Sequence, residues 1–181
     1  GVLAIGTSFV LSFFVLADLL DFYDFEEGHV AIATAIDWVN IGDQWHIDFG
    51  TYVDPMTVVM FGVVTSVALM VNIFSIGYMK GEPRYWWFFA VLQLFAASML
   101  MLVMADNLLL LLISWELVGV CSFLLIGFYW EKRSATEAAK KAFITTRIGD
   151  IGLMSGIILL FNGPNSFNIQ EIIHYAEAGE Y

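Results

Sequence analysis

The stretch 107–130, NLLLLLISWELVGVCSFLLIGFYW, decides how this chain is read. It holds a single charged residue, Glu116. A helix needs about 20 apolar residues to cross roughly 30 Å of hydrocarbon. The run is long enough and apolar enough, so it predicts a membrane-spanning helix and an all-α integral membrane fold. Counted from the turn at Asp106-Asn107, Glu116 stands about nine residues in, or ~14 Å along the axis. That depth is close to the midplane. An ionisable side chain there is costly and marks a candidate functional site.

Composition agrees with this reading. Of the 181 residues, 60% are hydrophobic and 14% charged, and the mean hydropathy is +0.79. A soluble domain carries about 25% charged residues. The net charge of −11 is a topological pattern and not a sign of cationic partners. The basic residues fall in two places: Lys80 and Arg84, then Lys132, Arg133, Lys140, Lys141 and Arg147. The acids gather in Asp18 to Asp54 and after Glu171. Nothing in this distribution suits a nucleic acid. The one cysteine, Cys121, lies within a predicted span and forms no internal disulfide. The chain opens on Gly1, with no basic leader or cleavage site, and reads as an internal piece of a longer protein.

Working outward, the apolar periodicity predicts about five spans. They are Val2 to Leu20, Met56 to Met79, Tyr85 to Met104, Asn107 to Trp130, and Ala135 to Phe161, the last carrying Arg147 and Asp150. Four parts follow: a transmembrane helix over 1–20, an outer loop over 21–55, a four-helix transmembrane core over 56–161, and an outer-surface tail over 162–181. In the loop, Trp45, Ile47, Phe49, Thr51 and Val53 alternate with polar or small residues, as a strand requires. Thr34 to Ile41 precedes it, and Gly42-Asp43 supplies a turn, so a β-hairpin on the extracytoplasmic surface is expected. In the tail, Gly163-Pro164-Asn165 marks a turn, and FNIQEIIHYAEA after it has the pattern of a short amphipathic surface helix.

Basic loops face the cytoplasm or its equivalent. Residues 80–84 and 131–141 therefore lie inside. The hairpin, the Ala105-Asp106 turn and the tail carry no Lys or Arg and lie outside. Tyr85, Trp86 and Trp87, with Tyr129 and Trp130, mark the inner interface.

On the fourth span, helical geometry puts Glu116, Val120, Phe123 and Gly127 on one face, with Gly119 nearby. On the fifth, Ser134 and Glu137 form a capping-box pattern for the helix start. Asp150 stands three residues after Arg147, where an ion pair forms directly. The bland reading is that these charges neutralise each other structurally and that Glu116 is a protonated packing group; the functional reading is a proton or ion path. Lys140 is the better interfacial anchor. Gly152 and Gly156 form a helix-packing G-x-x-x-G, and Asn72, Gln93 and Asn107 are expected to hydrogen bond between helices. His29, His46 and His174 are scattered and lack metal-ligand spacing. No P-loop, dinucleotide fingerprint or C-x-x-C occurs, so no NADH, flavin or iron–sulfur cluster is expected to bind here.

Two words carry a family resemblance: ADNLLLLLISWELVGVCSFLLIGFYW at 105–130 and KAFITTRIGDIGLM at 141–154. With VDPMT at 53–57 and SIGYMKGEPRYWWFFAVLQLFAASMLMLVMADN upstream, the chain resembles the antiporter-like membrane subunits of NADH:quinone oxidoreductase (respiratory complex I), above all the subunit L or chain 5 group. The resemblance implies that Glu116 is the central buried acid of a proton path. It places Lys141, Arg147 and Asp150 on the same path. It implies NADH, FMN, iron–sulfur clusters and quinone in partner subunits, none in this chain. It also implies other membrane subunits as partners, especially a neighbouring antiporter-like subunit, within the lipid bilayer of a bacterial plasma membrane in preference to a mitochondrial inner membrane or thylakoid. The family's first helix would precede Gly1. Its broken helices, axial lysines and lateral helix would follow Tyr181. The alternatives are the large subunit of a multi-subunit cation/proton antiporter and a non-catalytic membrane scaffold.

Overall fold

The computed structural model describes residues 1–22, 32–41 and 45–179. Helix α1 covers Val2–Phe22, strands β1 and β2 cover Ile32–Ile41 and Trp45–Val53, and α2 covers Pro55–Tyr78. Then follow α3 (Tyr85–Val103), α4 (Leu108–Ile126), α5 (Arg133–Phe161) and a short α6 (Ile169–Glu177). Helices α2 to α5 are each long and apolar enough to cross a membrane. Among the described residues these four meet that standard, and α1 contributes a shorter apolar stretch, Val2–Asp18; the sequence predicts about five spans.

The helix starts have local causes. Asp54 stays extended and its carboxylate accepts the Thr57 N–H at 2.7 Å, with Pro55 fitting the first turn of α2. Asn107 does the same for α4 through the Leu110 N–H at 2.7 Å, and Asn168 does so for α6. Helix α5 departs from expectation. Its N-cap is Lys132, with no side-chain cap, and the predicted Ser134–Glu137 box does not form. Glu137 is taken by Arg133, 2.8 Å away across one helical turn. Helix α4 is also shorter than the predicted span and ends at Gly127. Gly81, at φ +96°, turns the chain between α2 and α3.

Strands β1 and β2 pair antiparallel, Ile32 opposite Val53 and Ile41 opposite Trp45. The expected Gly42-Asp43 turn lies outside the described residues. The strands are tied to the helices through backbone. Tyr52 N–H donates to Met104 O at 3.0 Å, Leu108 N–H to Phe167 O at 2.9 Å, and Ile169 N–H to Asp106 O at 3.0 Å. One junction thus joins β2, the α3–α4 turn and the start of α6. Gly50 sits so close to Asp106 that any Cβ would overlap the carboxylate. Here the chain needs glycine for space.

Each long helix packs mainly on its sequence neighbours. Between α2 and α3, Gln93 donates to the fully buried Asn72 Oδ1 at 2.6 Å, an interhelical bond of the kind expected of both residues. Between α3 and α4, the buried Ser98 hydroxyl meets the Cys121 thiol. The opposite, basic end of α3 and α4 is locked by aromatics. Arg84 lies over the rings of Phe128 and Trp130 and pairs with Glu131 at 3.5 Å, and Tyr129 donates to Glu82. Burial first, and then the Glu82 carboxylate, push the Tyr129 hydroxyl above its ordinary range, so it stays a donor. Outer faces carry exposed Val, Met, Phe and Ile in helical rows, such as Met56, Val63, Met70 and Phe74 on α2 and Ile144, Ile148 and Ile151 on α5. Apolar rows of this extent are stable only against lipid or other apolar helices. The chain is membrane-embedded.

Candidate functional site

Helices α4 and α5 run antiparallel and mesh by rows spaced four residues apart. A Cβ at Gly127 would lie 3.3 Å from Ala139, the Phe123 and Phe143 rings are 5.3 Å apart, and a Cβ at Gly119 would lie 4.0 Å from the Arg147 guanidinium. Four residues forward on α4 match four residues back on α5 at each step. Gly119 thus lies beneath the guanidinium, which crosses α4 at ordinary contact distance. Val120, expected on this face, is instead exposed, so the meshing face is centred on Gly119.

At the Gly119–Arg147 step of this register stands a charged cluster. Arg147 Nη1 forms an ion pair with Glu116 Oε2 and lies 3.3 Å from Asp150 Oδ2. Its guanidinium also stacks 4.5 Å from the centre of the Phe143 ring. Glu116 is the ninth residue of the 19-residue α4, about 13 Å along a helix of ~28 Å. Arg147 is the middle residue of α5. The side chains of Arg147 and Glu116 are 29% and 32% exposed, that of Asp150 only 10%. Two acids share one guanidinium, which remains charged in a protein. The cluster is therefore one proton short of neutrality when both acids are ionised.

Sequence reasoning paired Arg147 with Asp150 and left Glu116 without a partner from this chain. The geometry joins all three. Lys141 is not part of the cluster. It is exposed, roughly two helical turns nearer the basic end, and makes no ion pair among the described residues. Lys140 is likewise exposed.

The sequence reading missed Trp115. Its indole N–H donates to Asp150 Oδ1 at 2.9 Å, across the α4–α5 interface. The available signal was position: tryptophan favours membrane interfaces, and Trp115 lies mid-span, where its N–H needs an internal acceptor. Beside it a groove of about 480 Å³ runs between the helices, lined by Leu111, Trp115, Thr145, Thr146, Gly149 and Asp150 among others. Among the described residues, no group of three or more His, Cys, Asp or Glu is placed to hold a metal.

Two family models match the chain. The one described as NADH:quinone oxidoreductase/Mrp antiporter covers residues 105–180, and NADH-Ubiquinone oxidoreductase (complex I), chain 5 N-terminus covers 38–89. NAD(P)H-quinone oxidoreductase chain 5 of Synechocystis is 42% identical over 93% of this chain and 24% of its own length. NADH-quinone oxidoreductase subunit L of Pseudomonas aeruginosa is 48% identical over 75% of this chain and 22% of its own. The Escherichia coli subunit L is 43% identical over 78% of this chain and 23% of its own. The chain thus spans about a quarter of the length of these relatives. Among solved structures, the Mrp complex of Dietzia has a similar fold, with TM-score 0.68 and 22% identity over 93% of this chain and 17% of that one. The two matched regions together take in most of the chain, including α4, α5 and the whole charged cluster. The chain belongs to the family of antiporter-like membrane subunits that NADH:quinone oxidoreductases share with Mrp antiporters.

Proposed function

We propose that this chain is part of a proton-translocating subunit of an NADH:quinone oxidoreductase, of the subunit L or chain 5 kind. The observation that carries the reading is the Glu116–Arg147–Asp150 cluster at mid-helix depth on two otherwise apolar spans. Glu116 holds the guanidinium when ionised and holds a proton when the guanidinium is engaged elsewhere. Asp150 is the second anion that takes the guanidinium. Alternation between these arrangements loads and unloads Glu116. Lys141, exposed at the basic end, passes protons between that surface and the cluster. The drive comes from quinone reduction in other subunits, where NADH, FMN, iron–sulfur clusters and quinone reside.

In this reading α1 is a fifth span, the paired strands and residues 162–181 lie on the extracytoplasmic side, and residues 56–161 form the translocating core. The exposed apolar rows of α2 and α5 face lipid and a neighbouring antiporter-like subunit. The membrane is a bacterial plasma membrane, supported by the Pseudomonas and Escherichia relatives, with a thylakoid as its alternative, supported by the Synechocystis relative. A second reading, the large subunit of a multi-subunit cation/proton antiporter, is favoured by the fold likeness to the Mrp complex.

The test is Glu116→Gln in the intact complex, in sealed membrane vesicles. NADH-driven proton uptake should fall while assembly persists, because Gln keeps the shape but cannot ionise. Normal uptake by a normally assembled variant overturns the proposal. Sodium-driven proton exchange without NADH oxidation supports the second reading instead.

A further inference from the structure

The indole of Trp115 has a use beyond packing. Trp86, Trp87 and Trp130 lie at helix ends, where tryptophan usually sits with its N–H toward water. Trp115 is the eighth residue of α4 and has no water-facing end to turn to. Trp115 is 48% exposed and lines the α4–α5 groove, yet its N–H points inward, to Asp150 Oδ1 at 2.9 Å. The other oxygen of the same carboxylate, Oδ2, faces Arg147 Nη1 at 3.3 Å. Asp150 itself is 7% exposed, although Ile148, Gly149 and Ile151 beside it on α5 are open. The indole therefore fixes the carboxylate plane so that one oxygen faces the guanidinium.

We propose that Trp115 is a positioning residue for proton transfer at Glu116: its N–H holds Asp150 in the orientation that lets Arg147 be shared between Asp150 and Glu116. This deepens the proposed function and rests on it. Without the N–H, Asp150 Oδ1 has no donor among the described residues, and the carboxylate is free to rotate about its last torsion. Both its oxygens then compete for the guanidinium. The competition draws Arg147 away from Glu116 and unbalances the exchange. The chemistry is proton relocation among fixed groups, and no covalent bond changes.

The decisive variant replaces Trp115 with 3-benzothienylalanine, which keeps the ring shape and has sulfur in place of N–H. Trp115→Phe serves as a genetically simple companion. Both are made in the full subunit and assayed in the intact complex in sealed vesicles. The expected result is a drop of about tenfold or more in NADH-driven proton uptake with assembly unchanged, the scale of one hydrogen bond to a charged group. In an Asp150→Asn background the same replacement should add nothing further, because Trp115 acts through that carboxylate. Full uptake by the benzothienyl variant overturns the proposal, and so does an effect that persists undiminished on top of Asp150→Asn. If Asp150→Asn alone leaves uptake normal, the proposed function of the cluster is what fails. If Asp150→Asn impairs uptake and the benzothienyl variant does not, only the role of Trp115 fails.

Discussion

Removing the shared cation is the sharpest perturbation of this site. Arg147→Gln deletes both ion pairs at once and leaves Glu116 and Asp150 facing each other's charge. Breaking a buried pair by taking one partner costs ~3–5 kcal/mol. Two features argue for the lower end. About a third of the Glu116 side chain is accessible, and Asp150 keeps its bond from Trp115. A loss of about 3 kcal/mol is therefore expected. Glu116→Gln alone leaves Arg147 paired with Asp150 and should cost about 1.5 kcal/mol, the low end for one hydrogen bond to a charged group. The informative variant carries both changes. With the guanidinium gone, converting Glu116 to Gln removes one of two stranded anions, so the double variant should be more stable than Arg147→Gln by at least about 1 kcal/mol. The assay is the heating midpoint of the assembled complex in membranes, followed by the amount of complex that survives each temperature step. Arg147→Gln should lower the midpoint, and adding Glu116→Gln should recover part of the loss. A midpoint that falls further by the full effect of Glu116→Gln would show that the two residues are not energetically coupled, and the cluster would be wrongly drawn.

Two other expectations rest on different parts of the fold. Gly50→Ala puts a methyl group into the Asp106 carboxylate at the junction of β2 with the α3–α4 turn, and should cost about 1–3 kcal/mol as overpacking, read as reduced heat survival of the complex. Asn72→Leu or Gln93→Leu alone strands a polar amide between α2 and α3 and should cost about 1–2 kcal/mol, whereas the double Leu variant should restore most of the loss. Double-variant stability no better than either single would refute the pairing.

The extent of helix was legible because α2 to α5 are long apolar runs bounded by Asp54, Asn107 and the basic loops. The charges of the cluster were legible too, since Glu116, Arg147 and Asp150 are conspicuous in such runs, although Lys141, expected with them, lies apart. Their arrangement was not. Helix α4 is apolar nearly all round, so its sequence does not say which face meets α5. The Glu116–Arg147 contact depends on the offset that sets Gly119 under the guanidinium and Gly127 against Ala139, and a single sequence carries no record of that offset. The i+3 pairing of Arg147 with Asp150 was readable because it is local to one helix. The capping box at Ser134 failed for a local reason: α5 begins at Arg133 with Lys132 as its N-cap, so Ser134 lies inside the first turn and Glu137 pairs with Arg133. Trp115 was overlooked because an aromatic in an apolar helix is ordinary, and only its depth set it apart.

The central claim is that Glu116 exchanges a proton during turnover while Arg147 moves between two acids. Infrared difference spectroscopy on the intact complex during NADH oxidation reads this directly. A protonated-carboxyl C=O band should rise or fall with turnover and vanish from the difference spectrum in Glu116→Gln, whereas it should survive in Lys140→Gln, which lies outside the cluster. An identical band in wild type and Glu116→Gln, or no carboxyl band at all in a pumping complex, would contradict the account.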